Sequence, residues 1–349
     1  MMTKTAAQTF LIEPLGPYSL EESANFIGAW HEAPAAGGAA TGHLHLAFLT
    51  DEGWKPVGVC LTQGESGIVR GEVYGSADVR AVERQVARIL SLDVDGRSWP
   101  EVGTRDRVVG MLQRRFPGFR PVNWSDAYEA AAWCVMSTRI NMRQAQAIKD
   151  RMCRELGHEV NVHGHVLWTF PDPARLLELE SYRGLFGRKV EYLNRLGRAA
   201  LAGEVDTEML RALPQDESLE RLQRLYGIGE FGSHLVRLRA LSAVDELPTR
   251  EPRLMGAIQT EYGLDAEPDL VTLERLAETW RPFRMWVAVC LRRTLVGSPS
   301  GEPEGEGRRE GREGPRRGCV LTARPGPRPR SRLPTPPCPR QRAPTSSER

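Results

Sequence analysis

Apolar and polar positions along the first third of the chain follow two rhythms. In "HLHLAFLT", "WKPVGVCLTQ" and "GIVRGEVYG" the apolar residues alternate or run together over short stretches, which predicts successive antiparallel strands. The turns between them fall at Asp51-Glu52-Gly53 and Gly64-Glu65-Ser66-Gly67, and "QTFLIEPLG" reads as a further strand. Two stretches change to a period of 3.6. One is "SLEESANFIGAW", with Ser19 as N-cap and Glu22 completing a capping box; the other is the amphipathic "SADVRAVERQVARILSL". From Trp124 to Val296 the pattern is helical only, beginning at "SDAYEAAAWCVMSTR" and ending at "RPFRMWVAVCLRRTL". No period of about 20–50 residues recurs, so these helices are expected to form a bundle and not a solenoid. The fold class expected is α+β. A small antiparallel unit spans residues 1–115, and an all-α bundle spans 116–296.

Composition changes this picture at one end. Beyond Gly297 the chain holds 11 of its 25 prolines and almost no apolar residues, so residues 297–349 are expected to be a disordered tail. That tail carries 12 Arg and 6 Glu, which leaves the body with 35 basic and 39 acidic residues. An acidic body excludes a wholly basic nucleic-acid-binding domain and allows only a local basic patch. No apolar run is long enough to cross a membrane, and the N-terminus lacks a secretory pattern. The six cysteines are far apart with no Cys-x-x-Cys, which suits a reducing cytoplasm and argues against a closely spaced metal motif. His158, His163 and His165 stand close together, but no further ligand is evident nearby. They read as a polar loop between helices, and no metal site is expected.

The candidate chemistry begins at "LYGIGEFGSHL". Gly227 and Gly229 flank Ile228 in a turn between two helical segments, "ESLERLQRL" and "SHLVRLRAL". Glycine lets the backbone approach a partner, and the helix that follows presents unpaired N–H groups and the positive end of its dipole. Such a helix–hairpin–helix grips a DNA phosphate through backbone amides without reading sequence. Leu225, Gly227, Ile228 and Gly229 are the candidate phosphate-binding residues, with Arg237 on the second helix as a further backbone contact. Downstream, "SAVDELPTREPRLMGAI" places Asp245, Pro248 and Glu251 in a loop that opens the next helix.

In this order and spacing the chain resembles the helix–hairpin–helix DNA glycosylases, in particular their DNA-3-methyladenine glycosylase II branch. The resemblance covers residues 8–296 and rests also on "FPGFRPVNWSDAYEAAAWCVMSTRINMRQAQAI", "TFPDPARLLELE" and "LAETWRPFRMWVAVCL". It implies a base-excision-repair enzyme that flips an alkylated purine out of double-stranded DNA and hydrolyses its glycosidic bond. The family's catalytic Asp falls, by count from Gly227, on Glu251; Asp245 is the reserve carboxylate. The "STRIN" loop becomes the wedge, with Arg139 or Ile140 entering the stack, and Phe231 and Trp133 become base-pocket candidates. An alkylated base is cationic and leaves readily, so the site needs a carboxylate near the sugar and aromatic faces for the base. Two departures matter. Glu replaces Asp at 251, and Phe231 stands where bifunctional members carry a Schiff-base lysine, which implies no lyase step. No iron–sulfur cluster and no cofactor beyond a monovalent cation at the hairpin are expected, and the chain is expected to act as a monomer. A DNA-binding protein that kept the fold and lost catalysis is the alternative. Pocket shape comes from several helices, so the preferred lesion is not legible.

Overall fold

A computed structural model describes residues 8–28 and 42–295. The expected tail lies outside the described residues. Four strands form one antiparallel sheet: β1 (Gln8–Ile12), β2 (His43–Leu49), β3 (Pro56–Gln63) and β4 (Val69–Tyr74), in the order β1-β4-β3-β2. The register pairs Phe10 with Gly71, Gly71 with Leu61 and Leu61 with Leu44, so these residues share one face. That face is packed so closely that a Cβ on Gly71 would sit 2.1 Å from the Phe10 ring. Helices α1 (Leu20–Gly28) and α2 (Val79–Ile89) belong to this core. Ser19 Oγ caps α1 at the Glu22 amide, as expected, but the Glu22 carboxylate pairs instead with Arg293 at 2.6 Å.

Two short helices follow that the hydrophobic pattern does not announce, α3 (Trp99–Arg105) and α4 (Arg107–Arg115). Asp106 separates them. Its Oδ1 caps α4, while Oδ2 accepts from Tyr262, Thr279 and Trp280.

The next helices build a second core. They are α5 (Ala127–Ser137), α6 (Met142–Leu156), α7 (Pro173–Leu177), α8 (Lys189–Leu201), α9 (Thr207–Ala212), α10 (Gln215–Gln223) and α11 (Glu230–Arg239). The alanine-rich α5 is buried on every side, as its lack of a polar face requires. The stretch between α6 and α7 is not a polar loop. It forms an antiparallel hairpin, β5 (Glu159–Val162) with β6 (His165–Trp168), so the second half is not purely helical.

The last three helices, α12 (Pro252–Tyr262), α13 (Leu270–Glu278) and α14 (Arg284–Thr294), return to the first core. There Trp99, Phe283 and Trp286 stack mutually at 4.7–5.6 Å between centroids, and Trp280 and Trp286 are fully buried. Arg88 ties the two cores together. Its guanidinium, 2% exposed, holds Asp51 with two bonds, Glu208 at 2.6 Å and the Ser125 carbonyl at 2.7 Å.

Candidate active site and nucleic-acid interface

Between the two cores lies a cleft of about 540 Å³. Edge strand β2 supplies one wall, α5 and α6 another, and the start of α12 with the end of α14 closes the third. Trp124 and Trp133 line it with ring centroids 5.5 Å apart, and Phe231, 48% exposed, stands at its lip. The structure therefore brings both expected pocket residues to one cavity and adds Trp124.

Glu251 lines the same cleft as N-cap of α12, where its carboxylate accepts from the Arg253 amide at 3.3 Å. An N-cap carboxylate faces the positive end of the helix dipole. Arg292, from the last turn of α14, reaches it. Nη1 lies 3.0 Å from Oε1, close enough for an ion pair but off the line of a hydrogen bond. Burial pulls the Arg292 pKa down, and Glu251 opposes that pull. Asp245 sits elsewhere. It is absent from the cleft wall and is held by Arg281 at 2.8 Å and Arg284 at 3.0 Å, so the reserve carboxylate is a structural tie between the loop and α14.

A second carboxylate, Glu129, lines the cleft beside Lys149, whose Nζ is 2.8 Å away and 5.2 Å from the Trp124 ring centre. Burial presses the Lys149 ammonium to lose its proton, yet the acidic groups around it, Glu129 foremost, together outweigh that and hold the lysine above its ordinary pKa. The cleft thus contains a charged, neutralised pair next to aromatic faces.

The hairpin is built as its glycines require. Gly227 has φ +85, and a Cβ there would meet the Tyr192 ring at 2.6 Å; Gly229, the N-cap of α11, has open space where a Cβ would stand. Leu225 and Ile228 are buried in the second core and anchor the turn from below, and their amides are engaged within it, Leu225 N–H donating to the Leu222 carbonyl at 3.2 Å and Ile228 N–H to the Leu225 carbonyl at 3.1 Å. Arg237 does not serve as expected. Its side chain is 11% exposed and closes on Glu246 through Nε at 2.7 Å and Nη2 at 2.5 Å, which commits its guanidinium to that carboxylate. Arg239 is likewise committed, donating to the Val122 carbonyl at 2.5 Å, and burial lowers its pKa to about 10.

The 137–141 turn, expected to be the wedge, is clamped at both ends. Lys189 donates to the Met136 carbonyl at 2.8 Å and Thr138 to the Cys134 carbonyl at 2.8 Å, which satisfies orphan carbonyls of α5. Asn141 and Gln144 form a capping box at the start of α6. Between them Arg139 is exposed in the left-handed region at φ +57, while Ile140 packs against the second core. The projecting residue is therefore Arg139. Ser137 and Met142, on either side of the turn, line the cleft.

Trp124, Lys149, Glu129 and Arg292 are cleft residues that sequence reasoning misses. Trp124 lies in an irregular segment, and the others look like ordinary helix residues until the fold brings them together.

No family model matches the chain. A DNA-3-methyladenine glycosylase of Bacillus subtilis (strain 168) is 24% identical over 210 residues, 59% of this chain and 69% of that protein. A 3-methyladenine DNA-glycosylase structure from Archaeoglobus fulgidus superposes with a TM-score of 0.67 at 20% identity, covering 81% of this chain and 97% of that one. The 8-oxoguanine glycosylase/lyase of Clostridium acetobutylicum in complex with DNA superposes with a TM-score of 0.58 at 15% identity, covering 84% and 98%. At these identities the two structures speak for the fold. The chain has the fold of these glycosylase structures, and its sequence is similar to that of the Bacillus subtilis DNA-3-methyladenine glycosylase.

Proposed function

We propose that this chain is a monofunctional DNA glycosylase that extrudes alkylated purines, of the 3-methyladenine kind, and hydrolyses their N-glycosidic bond to leave an abasic site. The observation that carries the reading is the placement of Glu251, as N-cap of α12, on the wall of the cleft that Trp124, Trp133 and Phe231 also line. An extruded nucleotide would enter between Trp124, Trp133 and Phe231, whose π-faces suit a cationic base. Its sugar would face Glu251, whose negative charge stabilises the oxocarbenium character that develops as the bond breaks. Amides of the hairpin would hold a phosphate of the same strand.

What supports a reaction without a lyase step is the placing of the lysines. A Schiff base requires a neutral amine at the sugar. Phe231 occupies the position where bifunctional members carry that lysine. Of the four lysines in the chain, Lys149 lines the cleft, and the acidic groups around it, Glu129 foremost, keep it charged.

One feature favours a second reading, a damage-binding protein without catalysis. Arg292 partly neutralises Glu251, and glutamate replaces the aspartate of the family pattern. Base release from methylated duplex DNA separates the two. The wild type should free 3-methyladenine, Glu251→Gln should lose about 10²-fold or more in rate while still binding DNA, and Asp245→Asn should retain base release wherever it folds. A borohydride-trapped protein–DNA adduct would overturn the monofunctional assignment; DNA binding with no base released would favour the second reading.

A further inference from the structure

Away from the cleft, the sheet face opposite the first core carries a cluster that the glycosylase reaction does not use. Side chains two residues apart on a strand share a face. The register sets His45 opposite Cys60 and Cys60 opposite Glu72, so His43, His45, Cys60, Glu72 and Tyr74 lie on one side of the sheet. The β5–β6 hairpin covers that side. It approaches so closely at Gly58 that a Cβ there would sit 2.4 Å from Val162. At its tip the turn His163-Gly164 adopts positive φ at both residues, +52 and +82, and delivers the His163 ring to the cluster. Ring centroids of His43 and His45 lie 5.8 Å and 5.7 Å from that of His163.

We propose that His43, His45, Cys60 and His163 form a closed four-ligand site for a zinc ion that fastens the β5–β6 hairpin to the four-stranded sheet. One potential ligand atom from each of the four lies within 4.8 Å of the others, and His43 Nδ1 is 3.2 Å from Cys60 Sγ. A tetrahedral zinc with bonds of about 2.0–2.1 Å to nitrogen and about 2.3 Å to sulfur sets its donors roughly 3.3–3.6 Å apart. Small side-chain rotations bring the four to that spacing. A second observation points to a ligand. His45 is 4% exposed, and neither of its ring nitrogens has a hydrogen-bond partner among the described residues. Buried polar groups are ordinarily satisfied, and an ion bound to one ring nitrogen supplies a partner. Glu72 accepts from His163 Nε2 at 3.1 Å, the kind of carboxylate that orients a ligating imidazole. Three imidazoles and a thiolate are a borderline-soft set that selects zinc over magnesium or calcium. Four protein ligands leave no open position, so the role is structural. The ion would join the N-terminal sheet to the segment that continues directly from the helix behind the projecting Arg139 turn.

The test uses the whole chain, prepared without a histidine tag. The protein isolated from zinc-supplemented cells should carry about one zinc per chain by elemental analysis. After dialysis against EDTA, cobalt(II) should titrate to one equivalent with a sulfur-to-cobalt charge-transfer band and the intense visible bands of a tetrahedral site. Cys60→Ser should lose the charge-transfer band. His163→Ala, on an exposed turn where the fold tolerates truncation, should keep the band and weaken cobalt affinity by tenfold or more. Zinc should raise the thermal midpoint of the wild type and leave that of Cys60→Ser unmoved. Folded wild-type protein that is isolated without zinc and gives only the weak bands of octahedral cobalt would overturn the proposal, as would persistence of the charge-transfer band in Cys60→Ser. These readouts do not involve base excision, so their failure leaves the glycosylase reading intact.

Discussion

Two glycines one residue apart do different work. Gly227 is fixed by conformation and by Tyr192, whereas Gly229 has an ordinary φ of −93 and empty space where a Cβ would stand. Gly227→Ala should therefore destabilise the protein by about 1–2 kcal/mol through left-handed strain, and more if Tyr192 cannot move. Gly229→Ala should melt like the wild type yet bind duplex DNA more weakly, because its methyl stands where a phosphate would approach. Paired thermal melts and salt-matched binding isotherms distinguish the two; equal loss of stability would sink the distinction. Arg139 offers the converse case, a non-glycine residue at φ +57. Arg139→Gly should raise stability by up to about 1 kcal/mol and lower the rate of base release from duplex more than from single-stranded DNA, where no stack has to be opened. These residue-scale features were partly legible. Gly-Ile-Gly and the Ser-Thr-Arg-Ile-Asn stretch are local, so the sequence places them without the fold. The Glu251–Arg292 pair is not local: Arg292 looks like one more cation favoured at a helix C-terminus until α14 folds back on α12.

Among the elements, α5 carries the most consequence because the projecting Arg139 turn hangs from its C-terminus and Trp133 from its middle. Its N-cap is Asp126, which accepts from the Glu129 amide at 2.6 Å and is 2% exposed. Burial, and then the neighbouring Glu129 carboxylate, push Asp126 from its ordinary 3.8 up to about 7. The folded protein thus keeps a proton that the unfolded chain has released. Stability contributed by this group falls as pH rises from about 4 to about 7 and is level above that. Asn caps a helix as well as Asp, so Asp126→Asn should flatten the decline in thermal midpoint over that range and match or exceed the wild type at pH 8. A steeper decline in the variant would contradict the assignment. The helices around α5 were legible from their 3.6 period, since each keeps one buried stripe. The β5–β6 hairpin was not. Its strands are only four residues each, with Val162 alone fully buried, and it is held as a strand pair by the sheet beneath it. For the same reason His163 showed no partners in sequence: its companions are on β2 and β3, about a hundred residues earlier in the chain.

For the whole molecule, Arg88 sets the relation of the two cores. Breaking a buried pair from one side strands the other charge, so Arg88→Ala, which leaves Asp51 unpaired, should cost about 3–5 kcal/mol, and Asp51→Leu less, because Arg88 keeps Glu208. Arg88→Met, which removes the charge and keeps the volume, leaves Asp51 unpaired and should fall in the same range, while the double change Arg88→Met with Asp51→Leu should recover much of it. Chemical denaturation of the four variants checks this, and additivity of the single changes would refute a coupled pair. The α+β class was legible at this scale, but the course of the cores was not. Nothing in the periodicity of α12, α13 and α14 says that they pack on the N-terminal sheet and not on the helices that precede them.

That return of the last three helices has a consequence for synthesis. On the ribosome, the sheet emerges before the helices that follow it, its apolar face formed by residues such as Leu44, Val59 and Leu61, yet Trp280, Phe283 and Trp286, which complete that core, are made only after the whole second core. The early segment must wait, with part of its core exposed, while the intervening helical core folds on its own local contacts. A nascent chain arrested after α11 would therefore hold a finished second core beside an unfinished first one, and proteolysis of such arrested chains should cut within the first hundred residues before it touches the helices that follow.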